Sequence, residues 1–308
     1  MKEKDKKIVS IIIIILLLPY VLTVLIKGED ALPMQVTIEE EMVNVRIDGR
    51  TDSVFYDTFL IGILAKEIPQ EFSLEAMKAQ AIIIRTRLEL ERLESGEQEE
   101  YIFEESFYTT EDIQRKWSNA ESLEIYSQLK EAVEETSAET LVYDGELAKT
   151  PYHLLSTGMT RDGNEVFLSE EYPYLVAVSC PLDIEADKEV AIQTVTYEEL
   201  IEALGLTLEH DLTFDEINVL EIDNSNYVLS VEVQGNIING EVFRDALYLK
   251  SSAFSFQAND ENSIQITTQG VGHGLGLSQN TAHYMGLEGK SYVEILKYFY
   301  VGCEIITK

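Results

Sequence analysis

One helix sets the terms for the rest of the chain. Between Leu74 and about Arg92 (LEAMKAQAIIIRTRLELER) the apolar residues do not keep to one stripe. From Ala79 to Ile84 the segment is apolar nearly all round, apart from Gln80. Such a helix reads as central and buried, covered by other elements on every side. Ser73 stands where its N-cap belongs. Just upstream, Asp57 to Glu67 (DTFLIGILAKE) also carries helical apolar spacing and stops before Pro69.

The remaining elements are shorter. Gln35 to Asp48 reads as a strand pair with Asp48-Gly49 as the turn, and Leu141 to Tyr143, Asp144-Gly145 and Glu146 onward as a hairpin. Thr196 to Leu204 is a short helix with Thr196 as cap, and Ile217 to Ile222 and Tyr227 to Val233 are strands. Helical spacing returns at Thr281 to Met285 and Tyr292 to Tyr300, before a terminal strand at Glu304 to Ile306. The stretch from Glu94 to Glu135, rich in acids and tyrosines, reads as a variable periphery with a solvated helix from Ser122. Helices and strands intermix and several strands are of the hairpin type, so the fold class is α+β, a single mixed helix/strand domain with a β-rich section near 194–258.

The N-terminus sets the expected compartment. Met1 to Lys7 carries four lysines, and Ile8 to Ile26 then runs 19 residues without a charge. As a helix that run spans roughly 28 Å, enough to cross a hydrocarbon core. The basic flank keeps residues 1–7 cytoplasmic and sends the rest outside. The exit (Leu25-Ile26-Lys27-Gly28-Glu29) has no Ala-x-Ala cleavage site, which favours an uncleaved single-pass anchor at 8–26 over a signal peptide. The expected organisation is thus a cytoplasmic tail, a transmembrane anchor in the cell membrane, and an extracytoplasmic domain over 36–308.

Charge excludes some partners. The 308 residues hold 23 Lys+Arg against 56 Asp+Glu, a net charge of −33. Beyond the first few residues no basic cluster interrupts the acidity, so the chain is no nucleic-acid binder. Cys180 and Cys303 fall on the exported side, where a disulfide is allowed but not implied; two buried thiols are the alternative. Two separated cysteines make no metal framework, and neither metal nor cofactor is expected.

Chemistry concentrates in three places. Glu67 sits at the C-terminal end of the first helix, in Lys66-Glu67-Ile68-Pro69. The helix dipole disfavours a carboxylate there, and the apolar neighbours Ile68, Phe72 and Met77 add a desolvation penalty. Both effects favour the protonated form that a general acid needs. On position alone, however, a surface glutamate among 56 acids is the stronger reading. The second place is Tyr152-His153-Leu154-Leu155-Ser156-Thr157-Gly158, where a serine nucleophile finds no Gly-x-Ser-x-Gly elbow. The third, Gly270-Val271-Gly272-His273-Gly274-Leu275-Gly276-Leu277-Ser278-Gln279, has four alternating glycines around one histidine. It lacks the dinucleotide-binding spacing and a Walker lysine. Its glycines mean backbone in close approach or positive-φ turns, and they fit a groove for an extended polymer. Ser278 is placed to cap the next helix.

Taken together these motifs resemble the SpoIID/LytB family. The similarity runs through Ala65-Lys66-Glu67-Ile68-Pro69, Leu74 to Ala81 with Arg85-Thr86, Tyr152-His153 with Ser156-Thr157-Gly158, and Tyr172 to Leu175 with Val178 and Asp183. It continues in Arg244 to Leu247 with Phe254, Gly272 to Gln279, Met285, Gly289, Ser291-Tyr292, Ile295-Leu296, Tyr300 and Gly302, and so covers about Val36 to Lys308 in order. Four positions depart from the family's pattern: Gly158-Met159 in place of paired glycines, the bulkier Ile82-Ile83-Ile84, Arg87 where a Tyr is usual, and Asn280 where an aromatic is usual. These departures are expected to touch the groove walls.

The resemblance implies a peptidoglycan lytic transglycosylase that cleaves the MurNAc–GlcNAc bond of glycan strands whose stem peptides an amidase has removed. It makes Glu67 the catalytic acid and base, and implies peptidoglycan, the membrane and an amidase as partners. Lys78 and Gln80 then order the Glu67 loop or anchor their helix, and Arg85 holds a substrate carboxylate or a buried acid. His153, Ser156, Thr157, His273, Gly274, Ser278 and Gln279 are the candidate lining of the sugar groove, each weighed against a structural role. Two other functions stay open: a non-catalytic wall-binding or amidase-activating module, and a glycan hydrolase using Glu75 as second carboxylate.

Overall fold

In the computed structural model the described residues are 41–96, 101–117, 119–186 and 191–307. The expected tail at 1–7, the anchor at 8–26 and the strand residues 35–40 lie outside them. Among the described residues no helix is long and apolar enough to cross a membrane.

The chain opens with a hairpin of β1 (Met42–Ile47) and β2 (Arg50–Phe55), turned at Asp48-Gly49 with both residues at positive φ. The turn is where the Asp-Gly pair puts it, although the strands it joins are 42–47 and 50–55. Then come α1 (Tyr56–Glu67) and α2 (Leu74–Ser95). The Ser73 hydroxyl accepts from the Ala76 amide, and Gly96 closes α2 in the left-handed conformation. Ala79 to Ile84 are all buried, because α2 is surrounded by α1, α4 (Asn119–Glu135), β4 (Glu139–Tyr143), α9 (Gln279–Leu287) and α10 (Tyr292–Phe299).

Between α2 and α4 lie β3 (Ile102–Phe103), which adds to β1 in parallel, and α3 (Thr110–Lys116), held at its start by a capping box of Thr109 and Asp112. This part corrects the reading of a variable periphery. Phe103, Ile113, Ile125, Leu129, Ala132 and Val133 are buried in the core, and α4 is a wall of it. Glu124, Glu131, Glu134 and Glu135 keep to the outer face of α4, and the composition hid the apolar stripe beneath them.

β4, β5 (Glu146–Leu147) and β14 (Glu304–Thr307) form a second three-stranded sheet, and β6 (Tyr152–His153) pairs in parallel with β13 (Leu277–Ser278). Two short helices, α5 (Gly163–Phe167) and α6 (Pro181–Ala186), follow β6. Cys180 and Cys303 are both buried free thiols.

Residues 191–268 build a second core from two further three-stranded sheets, in the orders β11 (Phe254–Asp260), β12 (Ser263–Thr268), β7 (Ala191–Thr196), and β10 (Asn236–Asn239), β9 (Val228–Val233), β8 (Ile217–Ile222). Helices α7 (Tyr197–Leu204) and α8 (Gly240–Ala246) belong to this part, and its buried residues include Leu200, Val231, Phe243 and Ile264. Thr196 caps α7 through a full capping box with Glu199. The architecture is α+β.

Candidate functional site

Glu67 is the last residue of α1 and lines an open cleft of about 410 Å³. Lys66, Ile68, Glu71, Trp117, Leu154 and Gln279 are among its neighbours on that wall. Two elements hold it. α1 ends because Ile68 turns to extended backbone ahead of Pro69. From the far end of the chain, Gln279 donates its amide to the Glu67 carbonyl at 3.0 Å, satisfying an oxygen that the helix leaves free. Gln279 is therefore beside Glu67 and bound to its backbone. His283 does a parallel service one turn on: its Nδ1 accepts from the Ser73 amide at 2.9 Å, tying the start of α2 to α9.

The Glu67 side chain has one oxygen engaged and one free. Arg87 donates from Nη2 to Oε1 at 3.0 Å, while Oε2 is buried without a hydrogen-bond partner among the described residues. The same Nη2 lies 3.4 Å from Glu105, and Nη1 donates to the Tyr152 hydroxyl at 3.2 Å. Burial by itself would lower the Arg87 pKa, but Glu67, Tyr152 and Glu105 outweigh it and hold the guanidinium above its usual value. Burial, and then the Glu67 charge, push the Tyr152 phenol up. The sequence placed only apolar neighbours around Glu67. The structure adds a cation from α2 and a second carboxylate from the loop before α3. Position 87 was visible as a departure from the family pattern, but nothing in the sequence paired it with Glu67. Glu105, one acid in an acid-rich stretch, carried no signal at all.

Of the other departures, Ile82, Ile83 and Ile84 lie in the core, and Asn280 donates to Asp183. They do not form groove walls by the Glu67 cleft; Arg87 alone of the four reaches Glu67.

Other candidates are placed in the scaffold. Lys78 pairs with Glu75 at 2.8 Å and Glu135 at 2.7 Å. Burial opposes its charge, and the two carboxylates overcome that and raise its pKa. Glu75 also accepts the Tyr292 amide at 2.7 Å and so caps α10. That employment withdraws it as the second carboxylate of a hydrolase. Gln80 is fully buried, and neither end of its amide has a partner among the described residues; its neighbourhood offers no account of this. Arg85 donates to the carbonyls of Val133 and Thr136 at the C-terminal end of α4 and of Glu139 at the start of β4, so its charge answers a helix terminus and not a ligand. Its pKa is lowered by burial.

Ser156 and Ser278 meet at Asp183, which is fully buried. Asp183 accepts from the Ser156 amide (2.8 Å) and hydroxyl (2.7 Å), the Ser278 hydroxyl (2.7 Å), Thr281 (2.8 Å) and Asn280 (3.1 Å). Ser278 also caps α9, accepting from the Thr281 amide. These serines join β6, α6 and α9 and are spent on that junction. Thr157 donates to the Ser225 carbonyl (2.9 Å), joining the two cores.

The glycine run has positive φ at Gly270, Gly272, Gly274 and Gly276. The close approach it permits is to the chain itself. A Cβ on Gly276 would lie 1.9 Å from the Pro151 carbonyl oxygen, and one on Gly274 would lie 2.4 Å from the Tyr227 ring. The space at Gly274 is thus filled by Tyr227, where a polymer was expected. Arg161, missed in the sequence, stacks on the same Tyr227 ring. It is buried and pairs with Asp223 at 2.5 Å and with Glu241. His153 lies in this part too, its ring 6.0 Å from that of His273. Its Nδ1 donates to the Leu275 carbonyl, since a carbonyl only accepts, and its Nε2 is buried without a partner among the described residues. The Leu275 amide donates to His273 Nδ1, which leaves the proton of that neutral ring on Nε2. Burial, with His273 as a second cause, lowers the His153 pKa to about 4. Burial likewise lowers His273 to about 4.

Comparison with known proteins gives the class of molecule. Residues 49–143, the span from β2 to β4 that carries Glu67, Arg87 and Glu105, match the SpoIID family, described as Stage II sporulation protein. The family resemblance read from the motifs is borne out: this is a SpoIID-like chain. Among individual relatives, it is 28% identical to Stage II sporulation protein D of Bacillus amyloliquefaciens over 87% of this chain and 80% of the relative. It is 27% identical to Stage II sporulation protein D of Bacillus subtilis (strain 168) over 82% of this chain and 75% of the relative. The amidase enhancer of Bacillus subtilis (strain 168) is 23% identical over 80% of this chain but only 40% of its own length.

Proposed function

We propose that this protein cleaves peptidoglycan glycan strands as a lytic transglycosylase with Glu67 as the single acid and base. The observation that carries the reading is the state of Glu67: at a helix end, lining a cleft, with Oε1 held by Arg87 and Oε2 buried without a hydrogen-bond partner among the described residues. Protonated Glu67 gives its proton to the departing GlcNAc oxygen as the bond to the MurNAc anomeric carbon breaks. Arg87 meets the negative charge that this leaves on the carboxylate. The carboxylate then takes the proton of the muramoyl 6-hydroxyl while that oxygen bonds to the anomeric carbon, giving a 1,6-anhydro end. No water enters, and Glu67 ends protonated as it began.

On this reading the domain works outside the cell membrane, anchored through residues 8–26. A role in sporulation follows from the names of the relatives. With Glu75 spent on α10, a hydrolase would need its second carboxylate from elsewhere, and Glu105 reaches Glu67 only through their shared Arg87. A second reading, activation of a wall amidase, is favoured by the relative named amidase enhancer.

One experiment separates the three. The full chain is incubated with glycan strands freed of stem peptides, and the products are read by mass spectrometry. Anhydro-ended fragments from the wild type, and none from Glu67→Gln, are expected. Reducing ends would make it a hydrolase. Intact strands, with an amidase accelerated equally by both proteins, would leave the activator.

A further inference from the structure

A guanidinium is an awkward neighbour for a general acid. Arg87, 3.0 Å from Glu67 Oε1, favours the carboxylate, whereas proton donation needs the acid. Glu105 supplies a counterweight, 3.4 Å from the same Nη2. The loop that carries it is fastened to α1, the helix that ends in Glu67. Lys66 donates to the Ser106 hydroxyl, the Phe107 ring meets Phe59 edge-on at 5.0 Å, and the Tyr108 amide donates to the Gly62 carbonyl at 3.0 Å. Phe59, Gly62 and Lys66 follow at helical spacing and so share one face of α1. A Cβ at position 62 would lie 2.3 Å from the Tyr108 carbonyl oxygen, so only glycine admits this docking. Glu105 is thus held in place by the residues that follow it.

Counting charge shows what Glu105 does. With both carboxylates ionised, Glu67, Arg87 and Glu105 carry one surplus negative charge; with one of them protonated, the cluster is neutral. Their side chains are 16%, 27% and 28% exposed, so surplus charge is costly there. Arg87 keeps its charge throughout. Without Glu105 the count reverses: ionised Glu67 with Arg87 becomes the neutral state, and protonation strands a half-buried guanidinium. Of the two carboxylates Glu67 is the one to take the proton, because it is the more buried and its Oε2 has no partner among the described residues to steady a negative charge. The neighbouring groups divide. Glu91 of α2, whose pKa burial raises, Arg87 lowers and Glu105 raises again, adds negative charge to the cluster. Tyr152 stays neutral, its phenol pushed up first by burial. Lys66 and Lys116 on the cleft lining pull the other way, with Glu71 offsetting one of them, and both ammonium groups are on exposed side chains where solvent screens them.

We propose that Glu105 is a positioning residue of this site: by sharing Arg87 it makes protonated Glu67 the neutral state of the cluster and keeps the acid loaded before a substrate arrives. Glu105 is not on the cleft lining and acts only through Arg87. This role rests on the glycan-cleaving reading of Glu67. When the Glu67 proton passes to the departing oxygen, Arg87 answers to the new carboxylate. When the proton of the attacking hydroxyl arrives on Glu67, Glu105 again balances Arg87. The guanidinium changes partner and never changes charge.

The test follows the Glu67 proton in two ways. Cleavage rates of the full-length wild type, Glu105→Gln and Glu105→Asp are measured on peptide-free glycan strands from about pH 4 to about pH 9. A reaction that needs a protonated acid slows as pH rises, so the basic limb of the profile reports that proton. Glu105→Gln is expected to move the limb down by about one pH unit, the scale of one neighbouring charge, with cleavage about tenfold slower above the limb, close to the wild type below it, and KM unchanged. Glu105→Asp keeps the charge and is expected to restore the limb. Arg87→Gln added to Glu105→Gln removes the cation as well and is expected to bring the limb back up. A rate lowered equally at every pH, with the limb in place, is what a merely structural role would give, and it overturns the proposal while leaving cleavage standing. The second readout needs no turnover: carbon-13 NMR of the side-chain carboxyls, with the Glu67 signal assigned by its loss in Glu67→Gln. Its titration midpoint is expected to fall by about one pH unit in Glu105→Gln. An unmoved midpoint also overturns the role of Glu105. Absence of cleavage products from the wild type instead overturns the cleavage reading, and the midpoint still judges Glu105.

Discussion

Asp183 and Glu67 are two carboxylates in two matched motifs, and the fold treats them in opposite ways. Asp183 is fully buried and accepts five hydrogen bonds from four residues, with both oxygens engaged. Glu67, on the lining of a cleft, has one oxygen on Arg87 and the other buried without a partner among the described residues. A carboxylate whose acceptor sites are saturated from fixed donors is a junction in the scaffold. One left half-finished beside open volume can exchange a proton with something that enters. Motif membership does not distinguish the two; the count of partners and the presence of a cleft do.

The sharpest break between them is in activity. Glu67→Gln is expected to abolish glycan cleavage while shifting stability by about 1 kcal/mol or less, because Glu105 remains to partner Arg87. Product analysis and urea unfolding on the same preparation check both halves. Asp183→Ala should show the reverse hierarchy: it leaves several buried donors without an acceptor and costs about 4 kcal/mol or more, read as a lower urea midpoint. A merely local effect there would dissolve the contrast.

The histidine pair near Asp183 tests whether that region is closed to protons as well as to ligands. His153 is faced by His273, Asp183 and Arg161, and its pKa is lowered from 6.5 to about 4. Between those values the unfolded chain binds a proton that the folded chain refuses. Stability is therefore lost as pH falls from 6.5 toward 4, on the order of 3 kcal/mol for one such group. His153→Asn keeps a donor toward the Leu275 carbonyl and cannot titrate. The difference between wild-type and variant stability should grow less favourable to the wild type across that window, and parallel curves would refute the assignment. A smaller effect than those at Asp183 and His153 concerns Arg87. Arg87→Gln leaves Glu67 and Glu105 without their shared cation and is expected to cost about 1 to 2 kcal/mol, measured by thermal unfolding.

Much of the framework was legible because it rests on local rules. The turn at Asp48-Gly49, the hairpin at Asp144-Gly145, and the caps Ser73, Thr196 and Ser278 depend on a few adjacent residues, and each is found where the sequence puts it. The centrality of α2 was legible as well, since a segment apolar all round can be satisfied only by enclosure. Less was legible between Glu94 and Glu135. Acids on the outer face of α4 masked Ile125, Leu129 and Val133, and a composition-level reading averaged the two faces.

By itself, then, the sequence determined the α+β class, the enclosed helix and the glutamate at the end of α1, because periodicity, capping and helix ends are short-range physics. Only the tertiary structure decided which polar residues are scaffold and which are site. Arg87 and Glu67 are 20 positions apart, Glu105 and Trp117 come from a stretch without motifs, and Gln279 reaches Glu67 from 212 positions away. Hydrogen bonds and ion pairs act over about 3 Å of space and are indifferent to distance along the chain. Which donors Asp183 takes and which Glu67 lacks is therefore settled when the helices and sheets pack, and not before.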